Sequence, residues 1–292
     1  SSLGILRVFL SIRSILPSIQ SPLGTLPARF RRPRVLIVGC GDVGRRASRL
    51  LGKARVMALT SSPDKQTQLR ALGVVPLMGN LDRAESLNRL AGLATHVLHL
   101  APPLATGGTA DLRTKALLRV LRRRSPPRAM VYGSTSGVYG HCDGDLVSEK
   151  RPVQPQTPRA WLRVDAEAQV NLFGRVVNAR VCVLRIPGIY APDRVGGTPR
   201  ARLERATPVL QAAEDVYTNH IHADDLARAS VLALWRTRAK RAFNVNDDTE
   251  LKMGDYFDLA ADLYALPRPP RLSRIDAAAQ LTPLTLSFMS ES

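Results

Sequence analysis

Arg34-Val35-Leu36-Ile37-Val38-Gly39-Cys40-Gly41-Asp42-Val43-Gly44 decides the fold. Residues 35–38 are an unbroken apolar run, as expected of a strand covered on both faces. The next six residues read Gly-x-Gly-x-x-Gly. Val43, Ala47, Leu50 and Leu51 then fall on one helical stripe, and Gly52 stands where a C-cap belongs. Strand, glycine loop and amphipathic helix in that order give the pattern its meaning. Gly39 permits the tight turn, Gly41 lets a pyrophosphate approach the backbone, and Gly44 lets helix and strand pack closely. The helix N-terminus adds free N–H groups and a positive dipole end. A dinucleotide site is therefore expected at Gly39, Gly41, Asp42, Val43, Gly44 and Arg45.

Outward from this loop, strands and helices alternate. Strands are expected at 56–59, 74–78, 95–101, 129–132 and 181–186, with helices at 64–72, 83–93, 111–124 and 158 to about 173. Such regular βα units predict an α/β protein with a Rossmann-type, doubly wound parallel sheet. Beyond residue 186 the periodicity loosens, leaving helices at 224–236 and 254–266 and a strand at 242–245. Residues 34–190 are expected to form the dinucleotide-binding domain. Residues 191–292 are expected to form a smaller, less regular substrate side, with 219–248 returning to the sheet.

Residues 1–33 read differently, as a loose N-terminal extension. They are apolar and rich in Ser and Arg, and Pro17, Pro22 and Pro27 interrupt any helix. An organelle transit peptide shares this composition, but the expectation is a cytoplasmic protein. The chain has 292 residues, three cysteines and no CxxC pattern, so a disulfide scaffold and a structural metal are set aside. No apolar run approaches the roughly 18–20 residues of a membrane span. The net charge is +18, yet only six of the 42 basic residues are lysine. No recognition motif or aromatic platform accompanies that charge, so a small molecule rather than nucleic acid is the expected partner.

An acid after the second strand would hold the ribose 2′-hydroxyl of NAD. Thr60-Ser61-Ser62 supplies none. Ser61, Ser62, Lys65, Arg45 and Arg46 could instead hold a 2′-phosphate, which favours NADP over NAD.

Three further stretches carry a family resemblance: Tyr132-Gly133-Ser134-Thr135-Ser136-Gly137-Val138-Tyr139-Gly140, Leu184-Arg185-Ile186-Pro187-Gly188-Ile189-Tyr190, and Asn219-His220-Ile221-His222-Ala223-Asp224-Asp225-Leu226-Ala227. With the glycine loop they resemble the NAD-dependent epimerase/dehydratase family, the extended branch of the short-chain dehydrogenases/reductases. The family pairs a Ser/Thr after the fifth strand with Tyr-x-x-x-Lys on the next helix. The resemblance places Thr135 at the hydroxyl position, Arg159 where the Tyr belongs and Arg163 where the Lys belongs. It also implies cofactor contacts at Asn80, Leu81, Ala101, Pro102, Pro187, Gly188 and Arg163. The extended family's usual G-x-x-G-x-x-G is shortened here, which together with the missing Tyr-x-x-x-Lys suggests an atypical subgroup. The family continues past a segment like 288–292, so a C-terminal truncation is expected.

Arginine stays protonated near neutral pH and cannot serve as an ordinary proton donor or acceptor. Arg163 could hydrogen-bond the nicotinamide ribose, and Arg159 could anchor an anionic substrate or stabilise developing negative charge. The expected function is NAD(P)-dependent oxidoreduction or epimerisation of a small polar or nucleotide-linked substrate. The alternative is a non-catalytic dinucleotide-binding sensor or scaffold. His220 and His222 are expected to pack the following helix onto the sheet. His141 and Cys142 form a conceivable nucleophile pair, but adjacent residues rarely aim their side chains together.

Overall fold

The computed structural model describes residues 32–104, 108–237, 241–282 and 285–286. The expected N-terminal extension falls almost wholly outside them, as does the segment 288–292. The first half runs β1 (Arg34–Val38), α1 (Asp42–Leu50), β2 (Arg55–Thr60), α2 (Lys65–Ala71), β3 (Val75–Met78), β4 (His96–His99), α3 (Leu112–Leu121) and β5 (Ala129–Thr135). Then follow α4 (Pro158–Val177), β6 (Arg180–Ile186), β7 (Gly188–Tyr190), α5 (Arg200–Glu204), β8 (Val209–Leu210) and β9 (His220–His222). The chain continues with α6 (Ala223–Arg236), β10 (Arg241–Asn244), α7 (Met253–Tyr264), β11 (Arg271–Leu272) and α8 (Arg274–Gln280).

Seven strands form one parallel sheet in the order β10-β6-β5-β4-β1-β2-β3. The alternation along β1 explains its unbroken apolar sequence. Leu36 and Val38 enter a core shared with Leu117, Leu121, Val170 and Phe173 of α3 and α4. Val35 and Ile37 enter the opposite core with Val43, Ala47, Leu226 and Leu234 of α1 and α6. Side chains alternate across a strand, so a sheet layered by helices on both faces needs apolar residues at every position. The strand order reverses between β1 and β4, which opens a crevice at their carboxyl ends, the usual ligand position of such sheets.

Several elements differ from expectation. The segment read as a helix over 83–93 is a 3₁₀ helix, Ala84–Leu90. The Ser86 hydroxyl reaches the Arg83 carbonyl (2.6 Å) and accepts from the Asn80 N–H (2.9 Å), and such local bonds compete with an α-helical ladder. β5 runs on through Gly133, Ser134 and Thr135, which pair with Leu184, Arg185 and Ile186. α4 begins as expected, with the Thr157 hydroxyl accepting from the Ala160 N–H (3.2 Å) and Pro158 in the first turn. It continues to Val177 and stops at Asn178 in the left-handed conformation. The β7–β9 and β8–β11 pairs, which the loose periodicity did not reveal, organise the region after the sixth strand.

Candidate active site

The glycine loop does what its three glycines permit. Gly39 has φ +85°, and a Cβ there would lie 2.3 Å from the Ala101 backbone N. Gly44 packs close to the Gly39 carbonyl and the Ile37 side chain. At Gly41 a Cβ would meet nothing within 4 Å, so the missing side chain leaves open space above the N-terminus of α1. No side chain caps that helix. Its first-turn N–H groups, which lack intrahelical acceptors, are left to an anion in the cleft. An open backbone cradle of this kind fits a dinucleotide pyrophosphate.

The cleft holds about 330 Å³ and joins this loop to the far side of the crevice. Gly39, Gly41, Asp42, Val43 and Gly44 line one wall, and Thr135, Arg159, Arg163 and Pro187 line the other. Arg163, half-buried, donates to the Gly133 carbonyl (2.6 Å) and the Tyr132 hydroxyl (3.2 Å). Its remaining N–H groups are available on the cleft side. Thr135 accepts from the Gly137 N–H (3.3 Å), which leaves the hydroxyl proton free to be donated. Tyr132 is no substitute for the missing family tyrosine. It is fully buried, and desolvation pushes its hydroxyl up to about 12 despite the nearby Arg163.

A second cavity of about 830 Å³ lies beyond. Thr135, Arg159, Pro187 and Ile189 border both spaces and form the wall between them. Gly188 faces this second cavity, as do Tyr190, Arg202, Tyr217 and Tyr256. His220 lines it too, stacked on Tyr256 with ring centroids 4.5 Å apart. His222 has the packing role expected of the pair, since its Nδ1 accepts from the Asp224 N–H (3.2 Å) at the start of α6.

Other expected residues stand elsewhere. Ser61 and Ser62 follow β2 in a turn in which the Thr60 hydroxyl donates to the Ser62 carbonyl. The Asn80 carboxamide accepts from the Asp82 N–H (2.9 Å), and Leu81 packs against the α3 side of the sheet. Ala101 is buried against Gly39, and the Pro102 carbonyl accepts from Arg113 (3.2 Å). These residues lie along the carboxyl edge of the sheet, outside the lining of the 330 Å³ cleft. Arg45 is exposed and beyond that lining as well.

One expectation needs correction, and one doubt is met. Arg46 is committed to three carboxylates, Asp42 (3.2 Å), Asp193 (2.6 Å) and Asp224 (2.7 Å), so it is not available to a 2′-phosphate. Bonds to Asp193, Asp224 and Asp42 raise its pKa, in that order of effect. Cys142 and His141 are not a nucleophile pair. The Cys142 thiol is buried and raised by desolvation, with its Sγ 3.6 Å from the Gly140 carbonyl, while His141 pairs with Asp143 (3.1 Å). Arg194, which lines the cleft, escaped the sequence reading because 187–218 offers no periodicity to place it.

The fold and cleft define a Rossmann-type α/β protein with an open glycine-loop cleft at the carboxyl ends of its strands. The chain belongs to the NAD dependent epimerase/dehydratase family, whose model matches residues 35–246. A curated relative from Methanocaldococcus jannaschii, named "Putative UDP-glucose 4-epimerase", is 21% identical over 166 residues, 54% of this chain and 53% of its own. The chain thus spans about half the length of that relative. A functionally unknown conserved protein from Silicibacter pomeroyi superposes with a TM-score of 0.71 at 29% identity, over 89% of this chain and 88% of the other. The NAD-bound dTDP-glucose 4,6-dehydratase of Streptomyces venezuelae shares the fold at 20% identity, with a TM-score of 0.70 over 82% and 84% of the two chains. Among the described residues no helix is long and apolar enough to cross a membrane.

Proposed function

We propose that the protein is an NADP-preferring oxidoreductase or epimerase acting on a small polar, anionic or nucleotide-linked substrate held in the 830 Å³ cavity. The observation that carries this reading is the shared wall: Thr135 and Arg159 border both the glycine-loop cleft and the larger cavity. Hydride transfer is the chemistry that a nicotinamide supplies when bound. Thr135 donates a hydrogen bond to a substrate oxygen and keeps its proton. Arg159 stabilises negative charge developing on that oxygen without giving up a proton, and water supplies or takes the proton that accompanies hydride transfer. Arg163 anchors the cofactor from the floor of the cleft. Nucleotide-sugar chemistry in the named relatives favours substrates of that kind. The three cysteines are free, which fits a cytoplasmic location.

Turnover of NADPH or NADH with UDP-glucose and dTDP-glucose as probe substrates tests the reading. Arg159→Ala is expected to lower turnover about 100-fold, the effect of removing one oxyanion stabiliser, with cofactor affinity unchanged. Arg163→Ala is expected to weaken cofactor binding about tenfold, as for one charged hydrogen bond. Unaltered turnover in Arg159→Ala, or unaltered affinity in Arg163→Ala, overturns these roles. One observation favours a second reading, a dinucleotide sensor: an arginine stands where the family has its proton-transfer tyrosine. Tight cofactor binding with no turnover of any carbonyl probe would establish that reading instead.

The preference for NADP rests on the exit of β2. Thr60-Ser61-Ser62 brings no acid, and Arg45 and Lys65 both lie close enough to lower the Cys40 thiol against the burial that lifts it to about 11. NADPH is expected to bind about tenfold more tightly than NADH, the worth of a charge-assisted bond to the 2′-phosphate. Arg45→Ala should remove most of that difference. Equal affinities in a fluorescence titration would overturn it.

A further inference from the structure

Three carboxylates and two guanidiniums meet beside the glycine loop. Arg46 holds Asp42, Asp193 and Asp224, and the second oxygen of Asp42 takes Nη1 of Arg194 at 3.0 Å. Asp193 and Arg194 belong to a tight turn after β7. The Arg194 N–H donates to the Ala191 carbonyl, the Ala191 N–H to the Gly197 carbonyl and the Gly197 N–H to the Arg194 carbonyl. This turn reaches both spaces. Arg194 lines the cleft with Gly39, Gly41 and Gly44, while Gly196 to Pro199 line the larger cavity.

We propose that Arg194 clamps the dinucleotide pyrophosphate, changing partner from the Asp42 carboxylate to a phosphate oxygen and drawing the 191–199 turn over both cavities. This rests on the reading that the cleft takes a dinucleotide. The charge balance motivates it. Arg46 is shared among three acids and cannot neutralise Asp42 alone. Asp42 stands in the first turn of α1, beside the space that Gly41 leaves open. A pyrophosphate entering that space meets a like charge unless a cation lies between the two. Arg194 pairs with Asp42 and lines the cleft, and a guanidinium has five N–H donors, enough to hold a carboxylate and a phosphate together or in turn. Because its turn borders the substrate cavity, cofactor binding and substrate binding become linked through one side chain.

The test is calorimetric titration with NADPH of the wild type, Arg194→Met, Arg194→Lys and Asp42→Asn. Arg194→Met is expected to raise Kd about 10- to 100-fold, the range for losing a charged hydrogen bond. Arg194→Lys should recover part of that loss. Asp42→Asn should bind more tightly than the wild type, because the competing carboxylate is gone. A structural latch would behave differently: both Arg194→Met and Asp42→Asn would weaken binding alike, and that result overturns the clamp. Unchanged affinity in Arg194→Met overturns it too. Hydrogen exchange on the wild type gives a readout that no variant's folding can spoil. The amides of 191–197 should exchange more slowly with NADPH bound, and equal rates would count against the proposal. A wild type that binds neither NADPH nor NADH would sink the cofactor reading itself, a result separable from all of these.

Discussion

Gly41→Val should fold like the wild type and bind neither NADPH nor NADH. The two halves of this expectation come from one observation. The backbone at Gly41 has φ −80°, outside the left-handed region, and an added Cβ meets no heavy atom within 4 Å. The protein leaves open space for the added Cβ. The space it would fill is the one through which a pyrophosphate reaches the uncapped N-terminus of α1. Charge-assisted bonds from several backbone N–H groups, each worth roughly 1.5–3 kcal/mol, would be lost together, so the affinity should fall at least about 100-fold. Gly39 is the contrasting position. With φ +85° and a Cβ 2.3 Å from the Ala101 backbone, any substitution there would damage the fold before it reported on binding. Circular dichroism together with cofactor fluorescence decides the matter. A folded Gly41→Val protein with ordinary cofactor affinity would remove the glycine loop from the site.

The sheet was legible because its signals are local and repeated. Each strand buried on both faces needs a continuous apolar run, and each covering helix needs a stripe; β1 and α1 show both within 17 residues. Thr135, Arg159 and Arg163 were placed by counting from motifs, and the structure brings all three to one cleft. What remained hidden depends on pairings distant in sequence. Arg46 looked like a free surface cation until Asp193 and Asp224, 147 and 178 residues away, closed on it. Arg194 sits in a turn built from local hydrogen bonds, with no periodicity to announce which way its side chain points. Gly133 to Thr135 belong to β5, yet small polar residues do not continue an apolar run. Glu167 on α4 and Arg185 on β6 are 18 residues apart, and only the packing of α4 on the sheet shows that they are buried together.

That pair gives the second large effect. Arg185 donates to both oxygens of Glu167, at 3.2 and 2.9 Å, with the side chains 8% and 9% exposed. Ser134 donates to the same carboxylate (2.6 Å), Arg185 also donates to the Tyr139 hydroxyl (2.7 Å), and that hydroxyl donates to Asn244 (2.8 Å). The network ties β5, α4, β6 and β10 together through Ser134, the residue next to Thr135. Arg185→Met keeps the volume but strands the Glu167 carboxylate among apolar groups and one hydroxyl. Breaking a buried pair in this way costs about 3–5 kcal/mol, a large share of the stability of an ordinary domain. The cost belongs to the orphaned charge rather than to the lost attraction. One consequence separates these causes. Glu167→Leu added to Arg185→Met should recover most of the loss, because nothing charged is left buried; the residue should be roughly 1 kcal/mol for the Ser134 hydroxyl, which keeps no acceptor. Urea unfolding of the single and double variants measures it. A double variant as unstable as the sum of its parts would mean that the two charges are uncoupled, and the orphaned charge would not be the cause of the loss. In that case the arrangement of Ser134 and Thr135 would rest on what each side chain packs against rather than on the ion pair.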